Sequence, residues 1–324
     1  MTLVVSEKVT KALQSNSPIV ALETAVLTAG LPRTPWNDSF GSCPSCIDEA
    51  LPINWALAKA MTHAVASTGA IAVWIGMLRG KFIIGLTQDE LHELAHDETA
   101  TKVSYATFAN AMRQKQSSGT TVAATLLGCK LANPENPIRV FATGGIGGIH
   151  QNWANRLDVS ADLTALATTP TCVVASGAKS ILDLHATVEA LETIGVPILG
   201  MQCDRFPTFI ENSGALDPQI ACASSIEELA NTCNIHWHTL HLKSAILAGV
   251  PVPNTVALDR GSLEEALVQA EHTWLETGMP SITRTPYLLE ALAEITSGAS
   301  LIANIELLCN NARIAGQLAV TLSG

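Results

Sequence analysis

Residues 171–200, TCVVASGAKSILDLHATVEALETIGVPILG, decide how the rest of the chain is read. CVVA is a short unbroken apolar run, as expected of a strand buried on both faces. After the Ser176-Gly177 turn, residues 178–194 carry apolar side chains at helical spacing and stop at Gly195. PILGMQ then reads as a second buried strand. Strand, helix and strand in this order form a crossover unit of a parallel sheet. The same alternation continues outward in both directions. PIVALETAVL (18–27) is a buried strand with one acid in it, and residues 54–68 form a helix ended by Gly69. AIAVWIGM and KFIIGL make a hairpin across Arg79-Gly80. Thr87 with Glu90 forms a capping box for the helix QDELHELAH, and Ser104 caps another running to about Gln114. Residues 120–132 read as a buried helix, and IRVFATGG as a strand running into glycines. DVSADLTALA opens a helix, SIEELANTC is helical and SAILAGVPV is a strand, after which the last third is helical. The pattern predicts an α/β fold, a three-layer α/β/α sandwich around a mostly parallel sheet. Residues 1–324 read as a single domain with a loop insertion at about 33–51.

Composition narrows the function. Of 324 residues, 48% are hydrophobic and 15% charged, with a mean hydropathy of +0.28, which excludes intrinsic disorder. No apolar run reaches the roughly 18 residues of a membrane helix. Lys and Arg number 18 against 29 Asp and Glu, leaving −11, so a nucleic-acid partner is not expected. A phosphate ligand must then be held by local donors. MTLVVSEKVTKALQ has charges within its apolar stretch and no small-residue cleavage site, so the expected location is cytoplasmic.

Six of the eight cysteines, Cys129, Cys172, Cys203, Cys222, Cys233 and Cys309, are isolated and read as small hydrophobes. Cys43 and Cys46 form a lone CPSC without a second pair or partner ligands, and are expected to be neither a redox nor a zinc centre. His236, His238 and His241 read as part of an amphipathic segment.

Four features carry chemistry. Glu23 stands in an apolar strand, either as a salt-bridged core acid or as a general acid with a raised pKa. ATGGIGGIH (142–150) brings a strand into four glycines whose N–H groups can face an anion; its spacing is not that of a dinucleotide fingerprint. In DVSAD, Asp158 and Asp162 share a face if the segment is helical, as oxygen ligands for a hard cation; alternatively Asp158 or Ser160 caps the helix. Lys179 follows the strand TCVVAS. There it is expected in the first turn of a helix at a strand's carboxyl end, where a lowered pKa would suit Schiff-base chemistry.

Together these blocks resemble the pseudouridine-5'-phosphate glycosidase family, also known as indigoidine synthase A-like. VALETAVLTAGLP, TKVS, GTTVAATLL, VFATGGIGGIH, DVSADLTALA, VVASGAKSILDL, ALETIGVPILG and the segment from TPYLLEAL to AGQLA follow the family's order over nearly the whole chain. The resemblance implies reversible cleavage of the C–C glycosidic bond of pseudouridine 5'-phosphate to uracil and ribose 5-phosphate. It also implies a homotrimer and a divalent metal, usually Mn²⁺. By matching position Glu23 is the proton donor, Lys179 the nucleophile and Asp158 the metal ligand. Lys102, Val122, Ser160, Ala161, Asp162 and Asn304 line the substrate site. The chain departs from the family at Thr24-Ala25, at Ala29, at Tyr105-Ala106 and at Gln151, the last two places being ones where the family commonly carries Arg. The departures keep open an alternative activity, a C-glycoside synthase joining ribose 5-phosphate to another acceptor.

Overall fold

Short apolar segments alternate with helices from the start of the computed structural model, which describes residues 2–151, 153, 157–277 and 284–324. In chain order these are β1 (Thr2–Val5), α1 (Glu7–Gln14), β2 (Ile19–Glu23), α2 (Ala25–Ala29), α3 (Ile53–Ala66), β3 (Ile71–Leu78), β4 (Lys81–Ile84), α4 (Gln88–His96), β5 (Thr101–Val103), α5 (Tyr105–Arg113), β6 (Ser118–Thr120) and α6 (Val122–Ala132). There follow β7 (Val140–Ala142), α7 (Ala161–Thr168), β8 (Cys172–Ala175), α8 (Leu184–Thr193), β9 (Ile198–Met201), β10 (Ala221–Ala223), α9 (Ile226–Asn234), β11 (Ile246–Gly249), α10 (Arg260–Thr277), α11 (Arg284–Ile295) and α12 (Ala299–Ser323).

The strands form one sheet in the order β1-β4-β3-β2-β7-β8-β11-β9-β10, with β6 joined to β3 and β5 to β6. Pairing is parallel except where β3 meets β4 and β6. Successive strand residues point to opposite faces, so each strand feeds two cores. Val20, Leu22, Val140, Ala142 and Val174 join a cluster with α3, α9 and α12. Ile19, Ala21, Phe141, Val173 and Ala175 join another with α1, α6, α7 and α8. Helices thus cover both faces, which is the expected α/β/α sandwich.

Three local expectations differ. The strand read over 18–27 ends at Glu23, because Thr24 turns the chain and donates to Ile75 O at 2.7 Å, and Ala25–Ala29 is helical. The helix read from 178 begins at Leu184. Gly177 has φ +69, and a Cβ there would run into the Pro207 carbonyl. The next residues are bound sideways, Ile146 N donating to Gly177 O (3.0 Å) and Lys179 N to Ile146 O (3.2 Å). Only at Asp183, whose Oδ1 accepts from Ala186 N at 3.0 Å, can α8 start. Finally, Asp158 and Asp162 do not share a helical face. Val159 bridges to Ile149, Ser160 is the cap of α7, and only Asp162 lies in the helix.

Candidate active site

The sheet's connections change direction between β2 and β7: β2 continues to β3 on one side, and β7 to β8 on the other. Such a switch point leaves a crevice at the carboxyl ends of the strands, where open α/β sheets bind ligands. Glu23 is the last residue of β2 and Thr143 the first after β7, and Thr143 Oγ1 donates to Glu23 Oε1 across the crevice.

A cavity of about 70 Å³ opens there, walled by Glu23, Lys102, Lys179, Asn304, Phe209 and the glycines 144 and 145, with α2 along one side. Each element has a local reason to be there. Lys102 stands on β5 opposite Gly119 of β6. A Cβ on Gly119 would lie 2.6 Å from Thr24 O and 2.8 Å from Ala25 Cα, so β6 runs tight against α2 and draws β5 to the crevice. Lys179 is carried by the loop bound to Ile146. Asn304 comes from α12, which is fastened two turns further on by Asn311, whose Nδ2 donates to Thr143 O (2.9 Å) and to Ser176 Oγ (3.2 Å). Phe209 has φ +65, a left-handed conformation rare for a bulky side chain, held by its N–H bond to Ser176 O at 2.9 Å.

Glu23 lies deep in the protein with a small part of its surface open to the cavity. Burial raises its pKa above the ordinary carboxylate value; the Lys179 charge and the Thr143 hydroxyl oppose the rise without cancelling it. Burial, helped by the like charge of Lys179, lowers Lys102 to about 8 against the pull of Glu23 and Asp162. The crevice thus holds a carboxyl whose pKa is raised by burial and an amine whose pKa is lowered to about 8. An acid of this kind can give a proton to a leaving oxygen or carbon, and an amine can attack an electrophilic carbon.

The sequence-derived set divides. Glu23, Lys102, Lys179 and Asn304 meet in the cavity. Val122, Ser160, Ala161, Asp162 and Asp158 stand outside its walls. Val122 is buried at the start of α6. Asp162 supports the crevice from behind, accepting from Ala123 N at 2.9 Å and from Gly147 N at 2.8 Å. That second bond takes up the Gly147 N–H, one of those expected to face an anion, while Thr143 N and Ile146 N are bound to Val174 O and Gly177 O. Gly144 and Gly145 are the loop residues that reach the cavity. Of the divergent positions, Ala25 and Ala29 wall this cavity from α2, whereas Ala106 is exposed, Tyr105 packs near Thr168 and Thr169, and Gln151 belongs to another hollow. Phe209 and Asn311 carry no signal in the sequence, and Thr143 is marked there only by its place before the glycines.

Asp158 is half-buried, and its carbonyl accepts from His150 N at 3.0 Å. Among the described residues no three His, Cys, Asp or Glu side chains converge as a metal cage.

Acid, amines and glycine loop meet at the switch point of a parallel sheet, where α/β enzymes bind their substrates. The family model described as indigoidine synthase A like protein matches residues 45–321, and the chain belongs to that family. Among its relatives is a pseudouridine-5'-phosphate glycosidase of Myxococcus xanthus, 37% identical over 321 residues, covering 99% of this chain and 98% of that protein. Another of that name, from Caldanaerobacter subterraneus subsp. tengcongensis, is 36% identical over 318 residues, covering 98% and 96%. Among solved structures, the prealnumycin C-glycosynthase AlnA in complex with ribulose 5-phosphate superposes with a TM-score of 0.83 at 30% identity, covering 100% of this chain and 97% of that one. An indigoidine synthase A (IdgA)-like protein from Thermotoga maritima gives 0.82 at 28%, with the same coverage.

Proposed function

We propose that this chain reversibly cleaves the C–C glycosidic bond of pseudouridine 5'-phosphate, giving uracil and ribose 5-phosphate. The observation that carries the reading is the meeting of Glu23, Lys102, Lys179 and Asn304 in one crevice, in a chain whose full-length relatives bear that activity's name. A C-glycoside has no basic leaving atom at the base. The Lys179 amine attacks C1' while Glu23 protonates the ring oxygen, and the sugar opens. The nitrogen now bonded to C1' gives its surplus proton to the Glu23 carboxylate; its lone pair then forms the imine, the C1'–C5 electron pair stays with the base, and Glu23 returns that proton to complete uracil. Water hydrolyses the imine and returns ribose 5-phosphate and free Lys179. In this account the Lys102 ammonium faces the sugar phosphate, and Asn304 and Phe209 contact the base.

Asp158 would anchor a hydrated divalent ion, Mn²⁺ in the family resemblance, supplying positive charge near the phosphate. The homotrimer is proposed on that resemblance alone, and the cytoplasmic setting on the charges within the MTLVVSEKVTKALQ stretch. A second reading, a synthase joining ribose 5-phosphate to another acceptor, is favoured by the likeness to the C-glycosynthase. The protein incubated with pseudouridine 5'-phosphate should release uracil, measured by product mass. If it releases none and instead condenses ribose 5-phosphate with another member of an acceptor panel, the synthase reading replaces the first.

A further inference from the structure

The loop at 33–51 carries two cysteines that the reaction does not use. Among the described residues no hydrogen bond joins them: Cys43 Sγ donates to Pro44 O at 3.7 Å. The Cys46 thiol instead faces α12, where its Sγ donates to Glu306 Oε1 at 3.8 Å. Cys309 follows one turn later on the same helix, and the two thiols pack against one core and shift each other's titration. Cys46 and Cys309 are both partly open to solvent, whereas Cys129, Cys172 and Cys233 are buried. That influence is asymmetric. Cys309 favours the thiolate at Cys46, the attacking form, while Cys309 itself is held as a thiol by its neighbour and by burial.

The place of the pair gives it a consequence. The loop touches α12 a second time at the helix's foot, where Gly298 (φ +85) is so close to Phe40 that a Cβ would lie 2.5 Å from Phe40 Cα. Between that point and Cys309 the helix rises about 15 Å, and it presents Asn304 and Leu308 to the cavity. At its other end the loop leaves α2, whose Ala29 and neighbouring Gly30 form the facing wall. A covalent bond from Cys46 to Cys309 would join the two walls.

We propose that Cys46 and Cys309 are a reversible oxidation site, at which a low-molecular-weight disulfide such as oxidised glutathione converts the two thiols into an intramolecular disulfide that staples the loop to α12. The Cys46 thiolate attacks one sulfur of the reagent, releasing one glutathione thiolate and leaving a mixed disulfide. Cys309 loses its proton to water and attacks the Cys46 sulfur, expelling the second glutathione. Two protein thiols are oxidised, and one small disulfide is reduced to two thiols. In a reducing compartment the resting state is the dithiol, and the bond forms when the glutathione poise becomes oxidising.

The inference is independent of the reaction proposed above, and its test needs no turnover. The full-length protein is treated with oxidised glutathione, the remaining thiols are alkylated, and the digest is mapped by mass spectrometry. A dithiothreitol-reversible Cys46–Cys309 peptide is expected in the unmodified chain and in Cys43→Ser, and not in Cys309→Ser, which should stop at a Cys46–glutathione adduct. The linked form should melt about 3 °C or more above the reduced form. A Cys43–Cys46 link, or alkylation of Cys46 and Cys309 as separate thiols after treatment, overturns the site. A Cys46–Cys309 link that leaves Tm unchanged overturns the staple.

Discussion

The cavity around Glu23 and Lys179 and the hollow beneath α10 share a wall, the loop after β8. Their volumes are about 70 and 810 Å³, yet the chemistry belongs to the smaller. In the larger, Arg260 donates from Nε to Glu211 Oε2 at 3.1 Å and from Nη2 to Asp217 Oδ2 at 2.7 Å. Burial pushes Glu211 up to about 7 even against that guanidinium, but each acid has a cation to answer it. In the smaller, no ion pair among the described residues joins Glu23 to Lys102 or Lys179, and a hydroxyl is what holds the acid. A buried acid matched by an Arg fork is structural. A buried acid facing open volume beside unpaired amines can pass protons to a ligand. Volume does not separate the two regions, and pairing does.

The largest effect expected from this contrast is at Lys179. Lys179→Met should lower kcat by roughly 10⁴-fold or more while the melting temperature stays close to that of the parent. Retained turnover would place the attack elsewhere.

Glu23→Gln should lose about 10²–10⁴-fold in kcat. Thr143→Val sharpens the point. Removing the hydroxyl takes away a bond that lowers the Glu23 pKa, so the acid titrates higher still. Since a donor works while protonated, the alkaline limb of kcat should move to higher pH in Thr143→Val, an effect a purely structural threonine would not produce.

Arg260→Met should separate stability from activity. It leaves Glu211 and Asp217 without their cation, at a cost of about 2 kcal/mol, reduced from a fully buried pair because Arg260 is one-third exposed. Denaturant unfolding measures the loss, with kcat per folded molecule unchanged. Glu211 also sets a pH dependence. Its folded pKa is raised, so its contribution is complete below the ordinary value of 4.5 and is lost as pH rises through about 7. Glu211→Gln should flatten that slope.

The smallest effect is at Lys102. Its ammonium persists below about pH 8, so KM for a sugar phosphate should rise as pH passes 8, and Lys102→Gln should show a raised KM without that inflection.

Much of this arrangement is legible in the sequence, and the failures have physical causes. Strands such as CVVA and PIVALE announce themselves as apolar runs, and the two-sided core follows from their period of two. The strands TKV and SGT of β5 and β6 carry no such signal, because they are three residues long and exist through their pairing at Lys102 and Gly119. Residues 178–183 have helical composition, but their bonds to the glycine loop outweigh propensity. Glu23 and Lys179 stand out as charges beside apolar strands, whereas Lys102 and Asn304 were reached through family resemblance alone. Asn311 looked like any polar residue of α12; its bonds to Thr143 and Ser176 join segments 168 and 135 residues away.

Borohydride trapping with ribose 5-phosphate, followed by peptide mapping, tests the central claim most directly. The account predicts the reduced sugar phosphate on Lys179 alone, and none in Lys179→Met. An adduct on Lys102, the rival amine with its pKa near 8, or turnover without any trapped lysine, would contradict it.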